Sequence, residues 1–420
     1  MKILASAMRA VTLASATRLS TLALLLRAAS AAEDACTTII VGHLASADGS
    51  TMTSHTNDCL NCDFRIGHVA ARAHAAGAAR RLMRNRSPYP RLLWSDEELA
   101  GDGGGALSPT YAASNTPAAD AFFPWRPDEG AFASIGRMPQ VAHTYAYLDG
   151  HYGIMNEHQL AIGESTCGGA LIARPVSEGG EALVDVQEMT RVALERCRTA
   201  VCAVAAMGAM AESLGYYGAE DTPDEAGEAL TVVDPTDAWV FHVSADDTGR
   251  GAVWAARRVP PTHVTAVANQ FTIGALDEGC AGRVDAAATF AAMGPDGAAD
   301  LDAHAAALLP PDCACAASAN VYEVAARAGL WRGDAHAPFH FTKAYGMSRG
   351  FRSPYATRRV WRVFSLAAPS LALPAETDVW GSDYPFSVAP DGPVDVRDVL
   401  GWLRDHYEGA PRAERPRGRG

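Results

Sequence analysis

Cys36 is the residue whose position points most directly to chemistry. It follows a segment that reads as removable and stands just before a strand-like run, Thr37 to Leu44. If processing ends at Ala35, the thiol and the chain's own α-amine belong to one residue. An α-amine has a reference pKa of roughly 7.7–8.0, so a useful fraction is neutral near pH 7 and can take the thiol proton. Such a nucleophile needs no separate histidine, by the same logic as a threonine paired with its N-terminal amine. On position alone, Cys36 reads equally well as a buried thiol at a strand start.

Competing chemistries are poorly supported. Cys59-x-x-Cys62 with Cys313-x-Cys315 could be read as a zinc site, but neither pair has a histidine at ligand spacing in a compact module. Disulfides or inert buried thiols are the simpler account, and no metal or cofactor is expected. A thiol-redox role for Cys59 and Cys62 lacks a thioredoxin-like βαβ setting. Gly163-Glu164-Ser165-Thr166-Cys167 lacks the last glycine of a nucleophile elbow and sits in a strand pattern. Gly101 to Gly105 precedes no helix or Lys-Ser/Thr pair, so it is no phosphate cradle. The thirteen histidines form no His-Glu-x-x-His pattern. A formal charge of −13 argues against nucleic-acid binding, which needs a basic face. No apolar run approaches the roughly 18–20 residues that cross a bilayer.

The elements around Cys36 follow from local patterns. TTIIVGHL and TMTSHT flank an Ala47-Asp48-Gly49 turn, a hairpin signal. Residues 96–130 carry no clear periodicity and read as an exposed insertion. Strands resume at Tyr145 to Ile154 and Gln159 to Ser165. Asp185-x-x-Glu188 is a capping pattern opening a helix, and Thr199 caps a second that Gly215 ends. EALTVVD, AWVFHV, AVWAARRV and HVTAVAN then read as successive hairpin strands. Residues 281–330 read as helical and broken at Pro310-Pro311, and Arg352 to Pro369 as a further strand with its approaches. This order predicts an α+β fold with sheets packed under helices.

The first 35 residues are expected to be a leader with a short propeptide, 36–410 one catalytic domain, and 411–420 a basic tail. Lys2, the apolar Leu22 to Leu26 and Ser30-Ala31-Ala32 fit a secretory signal, which predicts secretion or a lysosome- or vacuole-like compartment. Arg9, Arg18 and Arg27 interrupt the apolar character and keep an organelle transit peptide open. These four basic residues against Glu33 and Asp34 give a net +2, whose removal takes the charge from −13 to −15. Setting Cys36 aside leaves eight of nine cysteines, an even number that suits an oxidising compartment. Asn85-Arg86-Ser87 would be a glycosylation acceptor there, weakened by Pro88.

Cys36-Thr37-Thr38-Ile39-Ile40-Val41-Gly42, then Ala45 to Thr51 and Asn57-Asp58, resembles the opening of the N-terminal-nucleophile cysteine dipeptidases. That family is related to secernins and more distantly to penicillin V acylases and bile-salt hydrolases. The likeness continues through Tyr152 to Gln159, Ala161 to Cys167, Tyr216-Tyr217-Gly218, Asp237 to His242 and Ala268 to Ile273. It extends over Ser353-Pro354-Tyr355 and Arg358 to Arg362, and ends near Asp405 to Gly409. The resemblance implies a four-layer αββα sandwich and hydrolysis of small peptide amides, most of all dipeptides, without metal or cofactor. It implies Cys36 as nucleophile with its amine as base, and Asp58 as the acid that holds amine and thiol in register. Asn156 becomes the side-chain donor to the oxyanion, Asn269 a second asparagine near the site, and Arg359 the family's later arginine, with Arg358 and Arg362 close enough to confuse the register. No nucleic-acid or membrane partner is implied, and a homo-oligomer is left open.

Two departures stand out. Many relatives carry Arg-Asn-Glu-Asp where this chain has His55-Thr56-Asn57-Asp58, so His55 takes the place of a substrate-binding arginine. An imidazole there changes carboxylate binding or favours acidic pH. Relatives also continue past the Asp-His-Tyr-Glu-Gly segment, so the C-terminus reads as cut short. Two further readings share the resemblance: an acylase for a non-peptide amide, and a secernin-like protein without catalysis.

Overall fold

A computed structural model describes residues 36–57, 66–84, 134–150, 152–219, 223–294, 300–332, 338–346, 354–375 and 384–409. The leader, Asp58, Cys59, Cys62, Asn85 to Ser87, the 96–130 insertion and the basic tail lie outside the described residues.

The strands are β1 (Thr38–Val41), β2 (Met52–Thr53), β3 (Gly67–Val69), β4 (Arg72–Ala73) and β5 (Ala79–Met83). Next come β6 (Ser134–Pro139), β7 (His143–Thr144), β8 (Tyr147–Asp149), β9 (Gly153–Asn156) and β10 (Ala161–Cys167). The last are β11 (Gly227–Val233), β12 (Ala238–Ala245), β13 (Ala252–Arg258), β14 (Val264–Val267) and β15 (Cys315–Ala317). One sheet has eight strands in the order β15-β13-β12-β11-β10-β9-β8-β3, and every pairing in it is antiparallel. A second has three, β14-β1-β2. Two short ribbons pair β4 with β7 and β5 with β6.

The helices are α1 (Val186–Arg196), α2 (Ala200–Leu214), α3 (Ala286–Ala292), α4 (Leu301–Leu308), α5 (Val321–Arg327), α6 (Phe341–Tyr345), α7 (Pro354–Ala367) and α8 (Val396–Trp402). The expected caps are in place. Asp185 accepts from Glu188 N, Thr199 accepts from Cys202 N, and Gly215 at φ 75 ends α2. No helix among the described residues is long and apolar enough to cross a membrane.

Both faces of the large sheet are covered, which is why β10, β11 and β12 are buried along their whole length. On one face Met189, Val192, Val204, Met207 and Met210 of α1 and α2 pack on Leu230, Val232, Trp239, Phe241 and Trp254. On the other, Ile40 and Val267 of the small sheet meet Ala229, Val240 and Val253. Alternation along β1 turns Ile39 and Val41 away from that contact. They join Val264 and Ala266 against Val360, Val363 and Phe364 of α7. The two sheets touch closely at Gly163, where a Cβ would fall on Thr38 Oγ1, Thr231 Oγ1 and Ser54 O. Only a residue without a side chain fits there.

Three sequence expectations are corrected. Arg352 to Pro369 is not a strand: residues 354–367 form α7. HVTAVAN does not extend the meander; after Pro260-Pro261, β14 leaves β13 and pairs with β1. The 281–330 stretch is helical as expected but also supplies β15 at the edge of the large sheet. Disulfides join Cys197 to Cys202 and Cys280 to Cys315, so Cys315 pairs with Cys280 rather than acting beside Cys313.

Candidate active site

Cys36 sits at the foot of β1, with only 2% of its surface exposed and outside both disulfides. Its carbonyl accepts hydrogen bonds from Arg359 Nη1 at 2.7 Å and from Ser165 Oγ at 3.3 Å. Three elements thus converge on one peptide group: β1, β10 of the large sheet and α7 beyond the small one.

The register of β1 on β14 pairs Thr38 with Val267. Continued two residues, it sets Cys36 opposite Asn269. Asn269 adopts φ 53, a left-handed conformation asparagine tolerates better than most residues. Its N–H donates to Ser165 Oγ at 2.8 Å, its Nδ2 to Thr166 O at 2.7 Å, and its Oδ1 accepts from Arg359 Nη2 at 2.7 Å. One amide hydrogen of Asn269 is left over. Arg359 also donates to Thr37 Oγ1 and Ala268 O, and so ties the ends of β1 and β14 together. Its neighbours in sequence are engaged elsewhere: Arg358 donates to Ala375 O, and Arg362 makes a two-pronged pair with Asp405 at 2.6 and 2.7 Å. The guanidinium at Cys36 is that of Arg359.

Asn156 is engaged in a different place. Its Nδ2 donates to Leu194 O at 3.0 Å and Cys197 O at 2.7 Å, and its Oδ1 accepts from His158 N and Leu160 N. Both amide hydrogens are committed to closing the end of α1 onto the β9–β10 turn. None remains for an oxyanion. Asp58 lies outside the described residues.

His55 is carried to Cys36 by a short extension of β2. Ser54 N donates to Ile39 O, Thr56 N to Thr37 O, and Thr37 N to Thr56 Oγ1. His55 Nε2 lies 3.1 Å from Glu164 Oε2, and a ring nitrogen of His55, Cys36 Sγ and a Glu164 oxygen all fall within 4.8 Å of one another. The His55 side chain keeps 20% exposure, whereas Glu164 has 1%. Its ring also packs against Tyr152, centroids 5.5 Å apart.

Glu164 does not stand alone in the core. Burial opposes its ionisation, but hydrogen bonds from Glu228, His55 and Thr166 outweigh that and hold it down to about 2. Burial pushes its neighbour Glu228 well above the usual range, and the Glu164 charge adds to the push. Drawn as a carboxylate, Glu228 leaves both oxygens without a donor among the described residues. As a carboxylic acid it donates to Glu164, and the two acids share one charge. Glu164, Ser165, Thr166 and Glu228 had no role in the sequence reading. The available signal was an acidic residue inside a continuously buried strand, which demands a partner.

A thiol beside an imidazole, an ionised acid behind the imidazole and an amide donor opposite form an arrangement suited to acyl transfer through a sulfur nucleophile. The sequence matches the family described as peptidase family C69 over residues 35–81, 146–289 and 301–414. The chain belongs to that family of cysteine peptidases. No curated protein matches it.

Proposed function

We propose that the protein is a cysteine dipeptidase of the N-terminal-nucleophile type, acting through an acyl-enzyme on Cys36. The observation that carries this reading is Arg359. One guanidinium grips the Cys36 carbonyl and the Asn269 side chain, so residues 36, 269 and 359 meet at a single point. The layering of α1 and α2, large sheet, small sheet and α7 is read as the αββα sandwich of that hydrolase class.

Removal of the leader, through a secretory route, frees the α-amine of Cys36. The thiolate attacks the peptide carbonyl carbon, and the carbonyl electron pair moves to oxygen. The oxyanion rests on the remaining amide hydrogen of Asn269 and a backbone N–H; this role moves from Asn156, whose hydrogens are spent. Collapse expels the leaving amine, which takes the proton held by the α-ammonium. Water then hydrolyses the thioester, and Cys36 regains its proton.

N-terminal sequencing and intact mass of protein from its native host, followed by a dipeptide panel, test the reading. The expected chain begins at Cys36 and hydrolyses dipeptides, and Cys36→Ser loses at least about a thousandfold in rate. A folded chain beginning at Cys36 with no dipeptide hydrolysis overturns the activity. A stable, active chain that keeps residues before Cys36 overturns the amine as base.

A further inference from the structure

We propose that His55, oriented by Glu164, accepts the proton of the Cys36 thiol, so that the nucleophile ionises without help from the chain's α-amine. The inference rests on Cys36 being the nucleophile. It adds a proton acceptor that the N-terminal mechanism does not contain.

Three observations carry it. First, the three groups lie within 4.8 Å of one another, and the imidazole is already paired at 3.1 Å with the acid. Catalytic hydrogen bonds in proteins without substrate are often longer than in the reacting complex, so such a spacing suits proton transfer. Second, among the described residues His55 Nε2 and Glu164 Oε2 have no partner beyond this contact and the neighbouring Glu228 acid. Third, the buried charge is arranged for a cation at His55. Thr166 donates to Glu164 from behind at 2.8 Å, the Glu228 acid lies against it, and among the described residues His55 is the cationisable side chain in contact with it. Among the described residues, the groups facing His55 are Cys36 before β1, Glu164 on β10 with Glu228 behind it on β11, and Tyr152 before β9.

The transfer balances simply. The proton leaves Sγ for a ring nitrogen, sulfur keeps the electron pair, and the imidazolium faces the Glu164 carboxylate. Glu164 is a positioning residue that never needs to accept the proton, as in other acid–histidine–nucleophile arrangements. A side chain that binds a substrate carboxylate would present its charge to solvent. This one presents Nε2 to an internal acid.

Iodoacetamide labelling of the full-length chain tests the idea, with Cys36 modification followed by peptide mass spectrometry between about pH 5 and 9. The leader-bearing and processed forms are labelled side by side. The expected result is fast Cys36 labelling near neutrality in both forms. His55→Gln slows it by about tenfold or more below pH 7, and Glu164→Gln by a smaller factor. If either variant fails to fold by circular dichroism, the wild-type leader-bearing form decides: labelling that rises only above about pH 8, like an ordinary thiol, overturns the proposal. Dipeptide hydrolysis by a processed enzyme whose labelling ignores His55 also overturns it and leaves the proposed function standing. Labelling that depends on His55 in a protein that cleaves no dipeptide supports the proposal and removes the proposed function instead.

Discussion

Buried charge is handled in two ways in two regions around β8–β10. Toward the helices, Arg80 of β5 grips both oxygens of Glu195 at 2.6 and 3.0 Å and also donates to Glu188. Arg191, with no exposed surface, donates to Asp149 at 3.0 Å. Arg196 donates to the Met293 and Pro139 carbonyls. The cations here are guanidiniums, which keep their proton at any ordinary pH, and their partners are fixed. Toward Cys36 the groups are a thiol, an imidazole and two acids that share one charge. The first region holds charges that do not move, while the second holds protons that can. Burial accompanies both, so it separates scaffold from chemistry only when the titration range of the buried groups is considered.

The sharpest way to break this contrast is Arg191→Met. It should take from Asp149 the buried guanidinium that faces it and cost about 3–5 kcal/mol in denaturant unfolding. The kcat of the protein that remains folded should change by less than a few-fold. A stable variant with lost activity would place the helical network in the chemistry and end the distinction.

On the site side, Asn269→Gly keeps the left-handed backbone and the N–H to Ser165 but removes the amide. It should lower kcat by about 10²–10³-fold, roughly 2.7–4 kcal/mol of barrier, with a much smaller shift in melting temperature. An Asn156→Ala variant sharpens the comparison, since it should lose stability first and rate only through unfolding. The reverse pattern would return the oxyanion role to Asn156.

The smallest effect is expected at Glu212 of α2, which has no cationic partner among the described residues and accepts from Trp254 Nε1 at 2.7 Å. Burial raises its carboxyl to about 7, against the lowering effect of that hydrogen bond. A raised acid contributes its stability fully below the unfolded value of 4.5 and loses it as pH rises through 7. Urea midpoints of the wild type should therefore fall from acidic to mildly alkaline pH. They should flatten over that window in Glu212→Gln, which keeps an acceptor for the indole. An unchanged slope would assign the pH dependence to other groups.

Local signals were readable where the chain interacts with itself nearby. The caps at Asp185 and Thr199, the stop at Gly215 and the strands β10 to β13 all follow from neighbours within a few residues. The α7 error came from weighting β-branched and aromatic residues over spacing. Val360, Val363, Phe364 and Ala367 recur at helical intervals and share one apolar cluster, so the period was there to be read. In the site, Cys36, Asn269 and Arg359 could be chosen only through the family likeness, because their contacts span more than 300 residues of chain. Glu164 and Glu228 stayed hidden for a different reason. Their meaning depends on the pairing of β10 with β11, which offsets them to Leu230 and Thr166, and on a shared proton that no sequence pattern records. Asn156 shows the opposite failure: its sequence position matches a role that its hydrogen bonds have already filled.

The sulfur atoms set one last condition. Among the described residues four are joined in pairs, while Cys36, Cys167 and Cys313 lie outside those disulfides, and a thiolate nucleophile works only if it stays reduced. On the proposed mechanism, whatever oxidation joins those pairs must spare Cys36, although the chemistry at each thiol is the same. Thiol exchange depends on access, and the packing of β1 between the large sheet and α7 narrows access to Cys36 to 2% of its surface. The outcome is then decided by timing. If Cys36 is the nucleophile we propose, oxidation that runs ahead of the docking of β1 would spend it on the wrong partner, and docking first would preserve it.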